Sequence, residues 1–371
     1  MAPESAARNH GNGHDLQAQR HRRLAAAMAE AGIDVLAIAA NPWRSDYLRY
    51  ALDVTVVEGT AVALIVRDGA TRLLLESPAE AERLGGEWTR SPAARAAEIL
   101  GSFRSERIAL APRHALPYAL ARGPCRESIK PATAMLDRLM LYKLPAEAEA
   151  VARAAVLADE GYRVFRDAAR VGRAEYELVA DVEAFFRSRG CPENFMILGS
   201  GGVEVRGMHP PGERRIARGD LVTTELTPCP NGYYAQICRT LVVGEPTQAQ
   251  RSAHSVYREA LEAGVAAVRP GVTMGDVARA ENEVFRRHGL GDYVTSEYTR
   301  VRGHGIGLYV DGPAVLEDVT LVLEPDMTLI VHPNTYHPEV GYMVLGDSVR
   351  VTADGCDVLC RTPRELICVA A

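Results

Sequence analysis

The chain reads as a two-domain protein of mixed helices and strands, and three observations predict this. Its 371 residues, at roughly 150 per domain, suggest about two domains, each long enough to bury a core. Apolar runs of strand length alternate with helix-period patterns. The pattern also changes near Met140, where a mixed α/β stretch gives way to a long helical one. Hydrophobic residues at 47% and charged residues at 24% are ordinary for a soluble globular chain. This argues against long disorder, collagen or a disulfide scaffold. Lys+Arg number 42 against 48 Asp+Glu, a net charge of -6, so no global basic field exists to hold nucleic acid. No apolar run reaches the ~18–20 residues of a bilayer span, so no membrane partner is expected. The polar start lacks the apolar core of a signal peptide. Seven cysteines, Cys125, Cys191, Cys229, Cys238, Cys356, Cys360 and Cys368, show no CxxC spacing. An odd, scattered set points to free thiols in a reducing cytoplasm.

In chain order, residues 1–14 have few apolar groups and are expected to be a disordered arm. HRRLAAAMAEAGI predicts a helix with Leu24, Met28 and Ile33 on one face and Gly32 near its end. DVLAIAA predicts a buried strand. TAVALIV and ATRLLLE predict a hairpin around Arg67-Asp68-Gly69, where Asp-Gly is a turn signal. RIALAP predicts another strand. A long helix is expected from Pro145, with Glu147 and Glu149 favouring the dipole at its start. AEYELVADVEAFFRSRGC continues helical. ENFMILGSG, DLVTTELTP and YYAQICRTLVVG predict strands, and QAQRSAHSVYREALEAGVAAVRP with MGDVARAENEVFRRHG predicts a helix pair. TLVLEPDMTLIVHPNTY and GYMVLGDSVRVT predict the last strands.

Six segments occur in a recognisable order: KLPAEAEAVARAA, MHPPGERRIARGDLV, NGYYAQICRTLVVGEPT, GHGIGLYVDGP, LEPDMTLIVHPNTY and GDSVRVTADG. On these, the chain from about Leu141 to Ala371 resembles the pita-bread family of creatinase, prolidase, aminopeptidase P and methionine aminopeptidase. The part before it resembles the smaller domain of the creatinase/prolidase branch. The resemblance implies an α+β protein, with a creatinase/prolidase-like domain over 15–140 and a pita-bread catalytic-type domain over 141–371. It also implies a homodimer.

Metal-dependent members resembling this chain hold two divalent ions with two Asp, one His and two Glu. Hard carboxylates suit such ions, which lower the pKa of a shared water. Matched to that pattern, the five positions carry Glu225, Gln236, His304, His332 and Gly346, with Asp347 next door. Four anionic ligands have become one. Two dications ~4 Å apart repel by several kcal/mol without that charge, so no dinuclear site and no ordinary Xaa-Pro peptidase activity are expected.

The resemblance then points to the metal-independent creatinase and ectoine hydrolase branch. His209 matches the catalytic histidine of creatinase. Cys238 and His332 stand where creatinase carries guanidinium-binding carboxylates, which makes creatine an unsuitable substrate. The first reading is therefore a hydrolase of a C–N bond in a small, polar, non-peptide molecule of amidine, guanidine or cyclic amide type, with no cofactor. In it His209 is the base, His304 the proton donor or oxyanion partner, and Glu225 the cation anchor. Gln236, Cys238, His332, Tyr234 and Arg44 would bind substrate, with Tyr233, Tyr309 and Tyr336 shaping the pocket. Arg239 and Thr240 would serve packing. Cys238 could act as nucleophile if His332 or His209 lowered its pKa. Two alternatives stay open. Glu225, His304 and His332 form the inventory of a mononuclear iron or other divalent-ion site, and loss of ligands also fits a non-catalytic peptide- or protein-binding module.

Overall fold

The computed structural model describes residues 10–122 and 129–371, with residues 10–14 as backbone only. Cys125 and most of the expected N-terminal arm lie outside the described residues. The chain divides into two compact units between Met140 and Leu141.

In the first unit, α1 (His10–Glu30) buries Leu24 and Met28. Residues 10–14, expected in the disordered arm, are therefore helical. Gly32 turns the chain out of the helix at φ 61°, a conformation glycine adopts without a Cβ clash. Next come β1 (Val35–Ala40), α2 (Asp46–Leu52) and the hairpin of β2 (Ala61–Val66) with β3 (Thr71–Leu75). Ile65 faces Thr71 across the predicted Asp-Gly turn. Then follow α3 (Pro78–Leu84), β4 (Glu87–Trp88), α4 (Pro92–Leu100), β5 (Ile108–Ala111), α5 (Tyr118–Ala121), β6 (Lys130–Pro131) and α6 (Thr133–Leu141). Ser77 and Ser91 cap α3 and α4, each just before a proline. The sheet order is β4-β3-β2-β1-β5-β6. Every residue of β1 is buried, as its unbroken apolar run requires of a central strand.

The second unit opens with α7 (Pro145–Ala168), where the Glu147 carboxylate accepts the Leu144 N–H at 2.8 Å. It continues with α8 (Glu175–Ser188), β7 (Glu193–Gly201), β8 (Leu221–Cys229), β9 (Ile237–Val243), α9 (Gln248–Ala267) and α10 (Met274–Arg287). Thr247 and Thr273 form capping boxes at the starts of α9 and α10. The last strands are β10 (Gly303–Gly305), β11 (Thr328–Val331), β12 (Asn334–His337), β13 (Gly341–Val344), β14 (Gly346–Val351), β15 (Cys356–Val358) and β16 (Ile367–Val369). An eight-stranded sheet runs β10-β11-β14-β9-β8-β7, with β15 beside β14 and β16 parallel to β9, while β12 and β13 form a separate hairpin. The helix pair packs with Tyr257 edge-on to Phe285, ring centroids 5.1 Å apart. The segment TLVLEPDM, expected as strand, is not one. Pro325 has no N–H to give a ladder, and Asp326 turns at φ 68°, so β11 starts only at Thr328. No described helix is long and apolar enough to cross a membrane.

Candidate active site

The motif positions of the second unit meet through a contiguous run of contacts. Glu225 on β8 lies opposite Cys238 on β9. Cys238 lies opposite Gly346, the first residue of β14. A Cβ on Gly346 would stand 2.6 Å from the His332 Cβ and 3.0 Å from the Cys238 Sγ. The absence of a side chain there is what lets His332 and Cys238 approach. His332 follows β11, and its ring meets that of His304 edge-on at a centroid distance of 5.4 Å. Gln236, just before β9, is held at its backbone by Ser348, whose Oγ accepts the Gln236 N–H and donates to the Gln236 carbonyl, each at 2.9 Å. Its side-chain amide donates to the Glu225 carboxylate and to Cys238 Sγ, the latter at 3.4 Å.

Burial sets the charge states. Glu225 is pushed up to about 7 by loss of water, with Gln236 opposing the shift and the Asp311 carboxylate adding to it. His332 is pushed down to about 3, by burial first and then by His304. His304 is also lowered by burial, against the pull of Asp311. Both imidazoles are therefore neutral at neutral pH. His304 Nδ1 lies 3.0 Å from the Gly305 carbonyl. A neutral ring can only donate there, which leaves Nε2 as the acceptor. His332 Nδ1 is buried without a hydrogen-bond partner.

Other expected residues stand elsewhere. His209 pairs with Leu198 of β7, which faces Thr224. Its backbone thus lies two strand spacings, about 10 Å, from β8. Its ring is half-exposed, with Nδ1 at 2.7 Å from the Pro210 carbonyl and 3.9 Å from the Glu175 carboxylate. The Tyr234 hydroxyl donates to Glu193 at 2.8 Å, and the Tyr233 hydroxyl to Glu147 at 3.1 Å. Tyr309 lies under Lys143, with Nζ 5.6 Å from the ring centre. Arg44 belongs to the first unit, where it pairs with Asp46 at 3.1 Å. Cys238 is not an activated nucleophile, since burial and the nearby Glu225 carboxylate raise its thiol well above the ordinary value. Arg239 is structural, as expected. It donates to the Cys238 and Gly346 carbonyls at 2.8 and 2.7 Å and pairs with Asp347 at 2.7 Å. Asp347 also pairs with Arg364 at 2.7 Å, so it is committed away from the site.

Sequence reading missed Tyr342 and Asp311. Tyr342 is fully surrounded, and its hydroxyl is raised well above the usual value by burial and then by Glu225 and Cys238. Only the β12–β13 hairpin brings it there. Asp311 carried a signal, lying seven residues past His304 in the same motif, and its charge acts on both Glu225 and His304.

The chain matches Metallopeptidase family M24 over residues 149–353. It belongs to that family. It is 30% identical over 235 residues to a Xaa-Pro dipeptidase of Pyrococcus furiosus, covering 63% of this chain and 67% of that protein. It is 32% identical over 261 residues to a probable dipeptidase PepE of Mycobacterium bovis, covering 69% and 67%. The crystal structure of dipeptidase PepE from Mycobacterium ulcerans superposes with a TM-score of 0.80 at 27% identity, covering 96% of this chain and 99% of that one. The two-part α+β architecture, with the M24 pita-bread fold in the second unit, stands as expected, and the chain is a hydrolase of this family.

Two expectations are corrected by these matches. The reading of a hydrolase restricted to non-peptide substrates, set apart from Xaa-Pro peptidases, is overturned because the relatives named are dipeptidases. The expectation of no cofactor is overturned because the family is one of metallopeptidases. The donor atoms here nonetheless do not fit a pair of divalent ions. One carboxyl pushed up to about 7, one amide, two imidazoles and a glycine cannot neutralise two dications. Among the described residues no three His, Cys, Asp or Glu side chains are placed to hold a metal ion, and this includes the expected trio of Glu225, His304 and His332.

Proposed function

We propose that this chain hydrolyses the amide bond of a short peptide of dipeptide type, with Glu225 as the base. The observation that carries the reading is a buried carboxyl pushed up to about 7 that shares its surroundings with a side-chain amide and two neutral imidazoles, in a chain of the M24 family. A base works best when its pKa is near the working pH. The Glu225 carboxylate takes a proton from a water, which His304 Nε2 orients by accepting the other. The oxygen attacks the carbonyl carbon. An N–H of His332 donates to the oxygen that becomes negative, where a fixed donor lowers the barrier, and the Gln236 amide holds the Glu225 carboxylate in place. The protonated Glu225 then gives its proton to the amide nitrogen as the C–N bond breaks. The base is assigned to Glu225 rather than His209, whose backbone lies two strands away.

A panel of dipeptides, Xaa-Pro dipeptides included, tests this with the protein as purified, with added manganese or cobalt, and after chelation. Release of free amino acids from at least one dipeptide in one of these arms is expected. Failure in every arm overturns the reading.

A further inference from the structure

Two residues before His304 stands an arginine, Arg302, to which the site described so far gives no role. It is fully buried. A buried cation is costly unless its donors are satisfied, so the partners of its donors show what it holds. They are not carboxylates. Glu281 on α10 acts on Arg302 by charge, but both Glu281 carboxyl oxygens are buried without a hydrogen-bond partner. Instead Nε donates to the Asn282 side-chain oxygen at 2.6 Å. Nη1 donates to the Thr299 carbonyl at 2.7 Å and to the Asn334 carbonyl and side-chain oxygen at 2.8 and 3.1 Å. Nη2 has no partner. The guanidinium carbon lies 5.3 Å from the centre of the Phe285 ring, and the Asn282 amide is anchored on Glu317 at 2.8 Å.

These bonds flank a weak point in the sheet. β11 ends at Val331, and the chain runs through His332 and Pro333 before β12 begins at Asn334. Pro333 has no N–H to give, so an unbroken ladder cannot hold this bridge. Arg302 grips it at both ends. Its backbone carbonyl accepts the His332 N–H at 3.0 Å, and its guanidinium holds Asn334. The His332 ring has no hydrogen bond at Nδ1, so its direction depends on the backbone that carries it.

The other side of Arg302 leads directly to His304. Gly303 lies opposite Val331, and His304 opposite Ile330. One residue thus ties the segment bearing His304 to the segment bearing His332, whose rings meet at a centroid distance of 5.4 Å.

We propose that Arg302 is a positioning residue for the candidate active site, fixing the His332 imidazole against that of His304. Its effect on turnover rests on the hydrolysis reading above, whereas the placement of the ring does not. Lysine keeps the charge but lacks the planar fork that reaches Asn282, Thr299 and Asn334 together.

The test uses Arg302→Lys and Asn282→Ala. The second variant removes the Nε partner of Arg302 at a residue whose side-chain bonds are to Arg302 and Glu317, and it carries the test if Arg302→Lys does not fold. On a cleaved dipeptide, kcat is expected to fall about tenfold or more, because small misplacements of reacting groups are costly. KM should change less than about twofold, since the displaced donor acts on charge that develops in the transition state. In protein with isotope-labelled histidine rings, the His332 resonance, assigned by its loss in His332→Gln, should move, while that of His254 stays. An unmoved His332 resonance in the folded variants overturns the proposal, and so does a loss confined to KM. If the wild type cleaves no dipeptide, the hydrolysis reading fails, and the His332 resonance still decides the positioning role. If dipeptides are cleaved and that resonance is unmoved, the positioning role alone is overturned.

Discussion

Glu225 and Gly346 show how much two single positions decide. A base pushed up to about 7 is half protonated near neutrality, and only the ionised form can accept a proton. We expect kcat/KM on a cleaved dipeptide to rise with pH and level off above about 7. Glu225→Gln should lower the rate by about 10²-fold or more and abolish that limb; an unchanged profile in the variant would remove Glu225 as the base. Gly346 acts by having no side chain, because a Cβ there meets the His332 Cβ at 2.6 Å. Gly346→Ala is expected to cost about 1–3 kcal/mol by overpacking, read by urea unfolding, and to lower dipeptide turnover as His332 shifts. Normal turnover at normal stability would show that the interlock is unimportant. Glu225, Gln236, His304 and His332 were all legible in the motifs. That Gly346 makes room for an imidazole was not, because its neighbours come from β9 and from the end of β11, far off in sequence.

Among the elements, the pairing of β9 with β14 organises the floor of the site. Gly346 faces Cys238 and Asp347 faces Ile237, and successive strand residues point to opposite sides. That one-residue step puts Asp347 into the fully buried pair with Arg239 instead of the site. Asp347→Ala would leave Arg239 uncompensated, and a loss of about 3–5 kcal/mol is expected on chemical unfolding. A loss under 1 kcal/mol would mean that Arg239 is satisfied by carbonyls alone. Helices and hairpins set by local signals were readable in advance, as with the Asp-Gly turn and Pro145 at the start of α7. The segment TLVLEPDM misled because its apolar pattern suits a strand, while Pro325 and the left-handed Asp326 stop one from forming.

For the whole molecule, buried imidazoles make stability depend on pH. His254 on α9 is pushed down to about 4, by burial first and then by Arg258 and Arg239, and its Nε2 has no hydrogen-bond partner. The unfolded chain takes up this proton near the ordinary value of about 6.5, but the folded one only near 4. The contribution of His254 is thus complete above about pH 6.5 and is lost as pH falls toward 4. The stability difference between wild type and His254→Gln should shrink by about 1 kcal/mol per pH unit across that window. A difference that stays constant from pH 7 to 4 would contradict the shift. Residue order alone was enough for a two-domain layout of helices and strands, which follows from periodicity and turn chemistry, and the ordered motifs carried the resemblance to the family. The protonation state of Glu225, the neutrality of His304 and His332, the inert state of Cys238, and the commitment of Asp347 to Arg239 emerged only on folding. Each depends on burial and on partners supplied by strands distant in the chain, and local patterns carry no record of either.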